Sequence, residues 1–312
     1  MASRDLAVGI FFLLQTALGM LGNSALLCCF VIADFAGIRA KPTDLIVKHL
    51  TWANFLVLLC KGMPHTMEAF RQTYYLGYIS CKLALYFHRV ARGVSLSSTS
   101  LLSVIQAITI SPNNSKWKQL KIRAPRIIGP SLGLCWSLQL LIYVFILVYT
   151  TDIQSGVNIT GRKDFGYCAV VNPGRLIDTF NAVLLTSSDA MFLGLMVFAS
   201  GSMVFRLLKH KQRVQHTHRS QSPRSSAETS ATHIILTIVS SFVLFYVASI
   251  VFTSYVSVLD VTIRWLVDAS AAMSACFPAF CPFVLLRQHT SVFKLAVPVL
   301  IRPHCVCVVR DL

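Results

Sequence analysis

Seven long apolar runs dominate the sequence, and each is close to the length that a helix needs to cross a bilayer. About 20 apolar residues suffice, because each adds about 1.5 Å across a hydrocarbon core of about 30 Å. The predicted spans are 7–33, 43–63, 82–110, 127–150, 180–206, 232–257 and 262–286. Charged residues make up 13% of the chain, against about a quarter in soluble domains. We therefore expect an all-α, seven-transmembrane helix bundle that forms a single domain over residues 1–312.

The distribution of basic residues predicts the orientation of this bundle. If the N-terminus is outside, the inner segments carry 17 Lys and Arg residues and the outer segments carry 8. Cytoplasmic loops of membrane proteins are enriched in Lys and Arg, so the asymmetry favours the N-terminus outside and the C-terminus inside. The same distribution argues against a nucleic-acid partner, because the net charge of +16 is spread mostly over short segments between apolar runs.

Two features of the predicted outer side are consistent with this orientation. Asn158 begins an Asn-Ile-Thr glycosylation acceptor in the loop after the fourth span. Cys81, at the outer end of the third span, and Cys168, in that same loop, are the two cysteines clearly outside. Oxidation there can join them, and such a disulfide would hold the loop over the third span. Two unpaired outer cysteines are the alternative.

The third span carries His88, Arg89 and Arg92, although each cation inside a membrane costs about 2.5–3.5 kcal/mol on insertion scales. His88 and Arg92 are four residues apart and share a helix face. Arg92 follows Cys81 by 11 residues, which is roughly 16 Å along a helix and suits the floor of an outward-opening pocket. One interpretation is that these side chains bind an anionic or hydrogen-bond-accepting ligand. The other is an internal ion pair with an acid, and the candidates are Asp189, Glu68 and Asp268.

Short strings along the whole chain carry a family resemblance. They are Pro42-Thr43-Asp44-Leu45-Ile46, Lys61-Gly62-Met63-Pro64, His88-Arg89-Val90, Arg92-Gly93-Val94-Ser95, Gln106-Ala107-Ile108-Thr109-Ile110-Ser111-Pro112, Gly166-Tyr167-Cys168 and Ala275-Cys276-Phe277-Pro278. With these strings in this order, the sequence resembles the vomeronasal type-1 receptors, pheromone receptors of the G-protein-coupled receptor superfamily. The Asp-Arg-Tyr of the larger rhodopsin-like class is replaced by Gln106-Ala107-Ile108 at the inner end of the third span.

The resemblance implies a chemosensory receptor in the plasma membrane, surrounded by lipid. It implies a small organic, pheromone-like ligand bound within the bundle, for which His88, Arg89, Arg92 and Asp189 are the candidate contacts. It also implies coupling to a heterotrimeric G protein of the Gi/Go type. A bitter-taste-like receptor and a polytopic transporter are the alternatives. We expect no enzyme activity, cofactor or metal site, because the sequence contains no catalytic constellation and no metal-ligand spacing.

Overall fold

The structure, a computed structural model, describes residues 3–37, 41–70, 78–111, 115–151, 163–164, 169–170, 175–217, 236–248, 251 and 264–288. Its helices are α1 (Ser3–Phe35), α2 (Pro42–Val57), α3 (Met63–Ala69), α4 (Tyr78–Ile110), α5 (Ser115–Ile142), α6 (Val144–Tyr149), α7 (Arg175–Thr217), α8 (Leu236–Ala248) and α9 (Arg264–Gln288). A π-helical turn, Leu58–Gly62, connects α2 to α3 without a break. Six helices of the described chain are long and apolar enough to cross a membrane, and α8 is a shorter apolar helix within the predicted sixth span.

Several helices extend beyond the apolar runs that predict them. The helix α5 begins at Ser115, well before residue 127, and α7 continues to Thr217. An apolar pattern stops at the first cluster of charges, whereas the backbone hydrogen bonds of a helix continue into water-facing segments. At 43 residues, α7 is roughly 65 Å long, so it is longer than the bilayer is thick. The predicted fourth span is divided at Tyr143, where a turn separates α5 from α6.

The connection between α1 and α2 has identifiable local causes. The chain leaves α1 through Gly37, whose φ of 67° lies in the left-handed region that glycine adopts most readily. The helix α2 begins with Pro42 in its first turn, where a missing N–H costs nothing. The Asp44 carboxylate accepts a hydrogen bond from the Lys41 backbone N–H at 2.7 Å, and its charge suits a helix N-terminus.

Within the described residues, the strands are three two-residue segments between α6 and α7. They are β1 (Thr150–Thr151), β2 (Lys163–Asp164) and β3 (Ala169–Val170). The sheet order is β1-β3-β2, both pairs are antiparallel, and Val170 faces Thr150 on one side and Lys163 on the other. Because β1 contacts α4, part of this connection lies against the third predicted span.

The helix α4 lies at the centre of the bundle. Every position from 93 to 100 is buried, so the middle of the helix is covered on all sides, as expected for a helix inside a bundle. Its neighbours include α2, α5, α6 and α7. Four of its hydroxyl side chains, those of Ser97, Thr99, Ser103 and Thr109, donate to carbonyls of the same helix; Thr99, for example, donates to the Ser95 carbonyl at 2.8 Å. Such internal bonds remove the penalty for unpaired polar groups in an apolar interior.

The largest buried cluster joins six helices. Its members include Leu26, Leu50, Leu96, Met196, Phe242 and Phe277. The rings of Phe242 in α8 and Phe277 in α9 meet edge to face at 4.5 Å between centroids, a favourable aromatic geometry. These two rings bound the cavity described below.

Close packing of α1 against α9 depends on small and polar side chains. A Cβ at Gly19 would lie 2.9 Å from the Cα of Ala279, so only glycine permits this approach. One turn further along, Asn23 donates to the Pro278 carbonyl at 3.0 Å. Pro282, four residues after Pro278, has no N–H for that carbonyl. The Asn23 amide therefore replaces a backbone hydrogen bond that the proline removes.

Candidate functional site

A charged junction connects three helices in the interior of the bundle. The Arg92 guanidinium of α4 lies 3.7 Å from the Asp189 carboxylate of α7, and the two side chains are 24% and 18% exposed. The Tyr246 hydroxyl of α8 donates a hydrogen bond to the same carboxylate oxygen. Arg92 also stacks over the Tyr246 ring, with 4.6 Å from Cζ to the ring centroid. Of the two sequence-based interpretations, the internal ion pair is therefore realised for Arg92, and Asp189 is its partner.

A small cavity adjoins this junction. Its polar lining includes Arg92, Ser95, Tyr246 and Ser274, and its apolar walls include Phe242 and Phe277. About 30 Å³ is open to the centres of water molecules, which is room for on the order of two waters. Pockets for drug-sized ligands usually span about 300–1,000 Å³. The structure therefore shows a closed form of the cavity, and a larger ligand requires the helices around it to separate.

A second cation, Lys61, lies close to the cavity. The sequence pattern groups Lys61 with the outer loop, but the π turn places it inside the bundle, where it is partly buried. Its ammonium donates to the Ser274 hydroxyl of α9 at 2.7 Å, and Ser274 lines the cavity. The ionisable side chains that act on this ammonium electrostatically within the described residues are Arg89, Arg92 and two histidines. Positive charge is therefore concentrated where the π turn, α4 and α9 meet.

The remaining predicted ligand contacts, His88 and Arg89, lie in α4, the helix that also carries Arg92. His88 is buried, and its Nε2 has no hydrogen-bond partner among the described residues. Arg89 is partly buried on the next position. The structure brings Arg92 and Asp189 into contact and places His88 and Arg89 one turn nearer the predicted outer end. Of the other two candidate acids, Asp268 is partly buried in α9, and the Glu68 side chain lies outside the described part of the chain.

Sequence reasoning missed Tyr246, and it missed Lys61 as an interior group. The signal for Tyr246 is a single phenol within the otherwise apolar Phe242–Val247 stretch, FVLFYV. A buried tyrosine hydroxyl usually has a hydrogen-bond partner. That partner could not be named without knowing how α7 and α8 are rotated.

A polar contact also connects α4 to α2 beside the junction. Ser95 donates to the Asn54 side-chain oxygen at 2.8 Å, and both residues are buried. The Asn54 amide nitrogen has no hydrogen-bond partner within the described structure. Because Ser95 lines the cavity, this contact continues the polar surface from Arg92 toward α2.

At the predicted inner end, a separate cluster connects α4, α5 and α7. Arg206 of α7 donates to the Ala107 carbonyl at 3.2 Å and to the Ser111 hydroxyl. Its guanidinium lies over the Trp117 ring at 5.0 Å. Lys121 donates to the Ser111 carbonyl at 2.6 Å. These contacts close the inner end of α4 against its neighbours, and we call them the Arg206 latch.

Two sequence-based predictions fall on residues outside the described ranges. Cys81 is fully buried at the start of α4, but Cys168 is not described, and the disulfide between them stays a prediction. Asn158 is not described either, so its glycosylation stays a prediction. Within the described residues, no group of three or more His, Cys, Asp or Glu side chains could hold a metal ion.

Comparison with solved structures identifies the fold. The chain matches squid rhodopsin with a TM-score of 0.69 over 99% of its own length and 89% of the rhodopsin chain, at 14% sequence identity. At this identity the match establishes the fold alone. The fold is that of a seven-transmembrane G-protein-coupled receptor, in which the charged junction and its cavity lie between the helices.

Sequence comparison identifies the family. The profile of the vomeronasal organ pheromone receptor family matches residues 6–297. Vomeronasal type-1 receptor 4 of Pongo pygmaeus is 48% identical over 95% of this chain and 98% of its own length. The Homo sapiens protein of the same name is 46% identical over 94% and 98%. The chain belongs to the vomeronasal organ pheromone receptor family.

Membership of this family confirms the resemblance inferred from the sequence. The protein is a chemosensory G-protein-coupled receptor and a multi-pass membrane protein. Small-molecule ligands and G proteins are the general partners of this class. Family and fold are those of a receptor, which is not a class of enzymes.

Proposed function

We propose that this receptor binds a small organic, pheromone-like ligand among its helices and activates a G protein of the Gi/Go type at the plasma membrane. The observation that supports this most directly is the Arg92–Asp189–Tyr246 junction beside the cavity. One junction joins three helices, so a ligand that competes for its contacts changes how α4, α7 and α8 pack. The proposed ligand contacts are His88, Arg89, Arg92 and Asp189.

The proposed signal passes along α4. A ligand shifts the equilibrium between two bundle arrangements only if it binds one of them more tightly. In the closed form, Arg92 holds Asp189 near the middle of α4, and the Arg206 latch closes the predicted inner end of the same helix. We propose that ligand binding opens the cavity and favours release of the latch, which exposes an inner crevice to the G protein.

The proposed function also requires a particular orientation of the chain in the membrane. We propose that the N-terminus is outside, so that the cavity opens to the extracellular side. The basic segments 111–126 and 206–231 then face the cytosol. There they provide the docking surface for the acidic and polar regions of a G protein, and α7 is long enough to reach beyond the bilayer.

The function is tested by expressing the full chain and screening small organic compounds, including steroid sulfates, for nucleotide exchange. Purified Gi, Go, Gs and Gq heterotrimers are assayed separately. We expect ligand-stimulated exchange on Gi or Go. Exchange on Gs or Gq alone would contradict the proposed coupling.

A transport function makes a different prediction. A transporter moves its substrate across a membrane without a G protein. Reconstituted liposomes that contain the receptor and no G protein should therefore show no flux of the active compounds. Flux under those conditions would contradict the receptor proposal.

A further inference from the structure

Lys61 is an ammonium group within the bundle whose described partner is a neutral hydroxyl. Its hydrogen bond goes to Ser274 at 2.7 Å, and the nearby Arg89 and Arg92 add positive charge. A cation away from water is stabilised by a counter-charge, and leaving it without one is strongly unfavourable. Arg92 has its counter-charge in Asp189. Lys61 has none among the described residues.

The backbone around Lys61 departs from regular α-helical geometry. Lys61 lies in the π turn Leu58–Gly62, in which the Met63 N–H bonds back to the Leu58 carbonyl. Single π turns inside α-helices occur frequently at functional sites. An inserted residue shifts the side chains that follow by about 100° around the helix axis. From this turn the Lys61 ammonium reaches Ser274 of α9, a residue that lines the cavity.

The residues that line the cavity indicate the chemistry of the uncharged part of the ligand. Ser274, which accepts the Lys61 hydrogen bond, lines the cavity together with Val57, Phe242, Met273 and Phe277. A hydrocarbon body fits these apolar walls, while an anionic group would take the place of Ser274 as the partner of the ammonium. Charge-assisted hydrogen bonds of this kind are about twice as strong as neutral ones.

We propose that the Lys61 ammonium is the anion-binding contact of the ligand site, and that the ligand is a carboxylate or sulfate ester on a hydrocarbon body. The proposal rests on the receptor function proposed above and makes its ligand class specific. It also divides the roles of the two cations. The charge of Arg92 is already paired with Asp189 in this closed form, whereas the charge of Lys61 is the one that binds the anionic group of the ligand.

The test is the melting temperature of the purified full chain in lipid nanodiscs, measured with matched pairs of compounds. The pairs are octanoate with methyl octanoate, and estrone sulfate with estrone, so that carboxylate and sulfate are examined separately. We expect at least one anion to raise the melting temperature while its uncharged counterpart does not. Equal shifts for anion and counterpart in both pairs, or no shift from either anion, would overturn the proposal.

Two lysine variants test whether Lys61 is responsible for the anion-dependent rise in melting temperature. Lys61→Met should abolish the shift, and the affinity of this variant for the active anion should fall by about tenfold or more, since the charge-assisted hydrogen bond is lost. Lys48→Met, a matched lysine at the other end of the same predicted span, should keep the shift. Persistence of the shift in Lys61→Met would contradict the assignment.

A merely structural role for Lys61 predicts other results. If the Lys61–Ser274 bond only joined two helices, Ser274→Ala and Lys61→Met would both melt earlier without ligand. We expect Lys61→Met to melt at or above the wild-type temperature, because it removes an uncompensated charge, and Ser274→Ala to keep the anion shift. Ser274→Ala also decides the question if Lys61→Met yields little folded protein, since loss of its shift would point to the structural role.

Nucleotide-exchange assays distinguish the proposed anion site at Lys61 from the proposed receptor function. Stabilisation by anions through Lys61 without Gi/Go activation would uphold the ligand site and contradict the coupling. Activation by uncharged compounds alone, with no effect of Lys61→Met, would uphold the receptor function and overturn the anion assignment.

Discussion

Arg92 makes two kinds of contact at once, and each limits where its side chain can go. The carboxylate of Asp189 attracts the guanidinium, while the Tyr246 ring offers its electron-rich face. Tyr246 in turn donates its hydroxyl to Asp189. The three groups therefore support one another, and the loss of one changes the surroundings of the other two. Such coupling is measurable as a departure from additivity.

Single and paired substitutions of Arg92 and Asp189 test this coupling. We expect Arg92→Gln and Asp189→Asn each to lower surface expression and melting temperature, because each leaves one charge uncompensated. The double variant should recover most of the loss, with a coupling energy of roughly 1–3 kcal/mol. Tyr246→Phe, which keeps the ring and the charges, should lose only about 1 kcal/mol. Strict additivity of the two charge variants would contradict the ion pair.

At the scale of the helix, α9 contains two prolines and yet continues from Arg264 to Gln288. Each proline deprives the carbonyl four residues earlier of its helical donor. For Pro282 that carbonyl belongs to Pro278, and the Asn23 side chain supplies the missing bond at 3.0 Å. The interruption in α9 thus becomes an attachment point for α1. Gly19 permits the close approach that brings Asn23 within reach.

A double-mutant cycle separates this attachment from ordinary packing. Asn23→Ala should destabilise the purified receptor by about 1–3 kcal/mol, since it leaves the Pro278 carbonyl unpaired. In a Pro282→Ala background, the restored N–H at position 282 can bond that carbonyl. The same Asn23→Ala change should then be less destabilising. The measurement is thermal unfolding in nanodiscs, and an equal loss in both backgrounds would refute the explanation.

At the scale of the whole molecule, polar contacts join the bundle at two levels of α4. Near its middle are the Arg92 junction and the cavity, and at its predicted inner end is the Arg206 latch. The rhodopsin-like Asp-Arg-Tyr is not present in the sequence, where Gln106-Ala107-Ile108 occupies that place. An arginine from α7 instead reaches the inner end of α4. In this receptor, the arginine that contacts the inner end of α4 therefore comes from α7.

Substitution of Arg206 tests whether the latch restrains activity. Arg206→Ala removes charge-assisted bonds to α4, and we expect ligand-independent nucleotide exchange to rise by up to about tenfold, the equivalent of about 1.4 kcal/mol. Lys41→Ala, which removes an exposed cation outside the proposed docking segments, should leave basal exchange near the wild-type level. A fall in both basal and stimulated exchange at normal expression would instead place Arg206 in contact with the G protein.

Glycosylation tests the proposed orientation of the whole chain. Asn158 should carry a glycan, because its loop is predicted to be outside, and Asn158→Gln should remove the mass that a glycosidase releases. Asn113, which begins the sequon Asn113-Asn114-Ser115, lies on the predicted inner side. Asn113→Gln should change nothing. The reverse pattern would invert the orientation.

The sequence predicts the bundle and part of the site, and the missing part has a physical cause. Apolar runs predict the spans because bilayer thickness fixes helix length. The cations of the third span point to α4 as the helix that others surround. Which side chains meet across helices depends on the rotation of each helix about its axis. The π turn changes that rotation at Lys61, and no apolar pattern reveals it, so its contact with Ser274 could not be predicted.

The complete burial of positions 93–100 limits how a family of such receptors can diversify. A larger or smaller side chain there would disturb several helices together, because close-packed interiors tolerate little change in volume. We therefore expect ligand preferences to change more readily on the neighbouring helices that border the cavity than along this buried stretch. The middle of α4 is therefore a packing support that several neighbouring helices share.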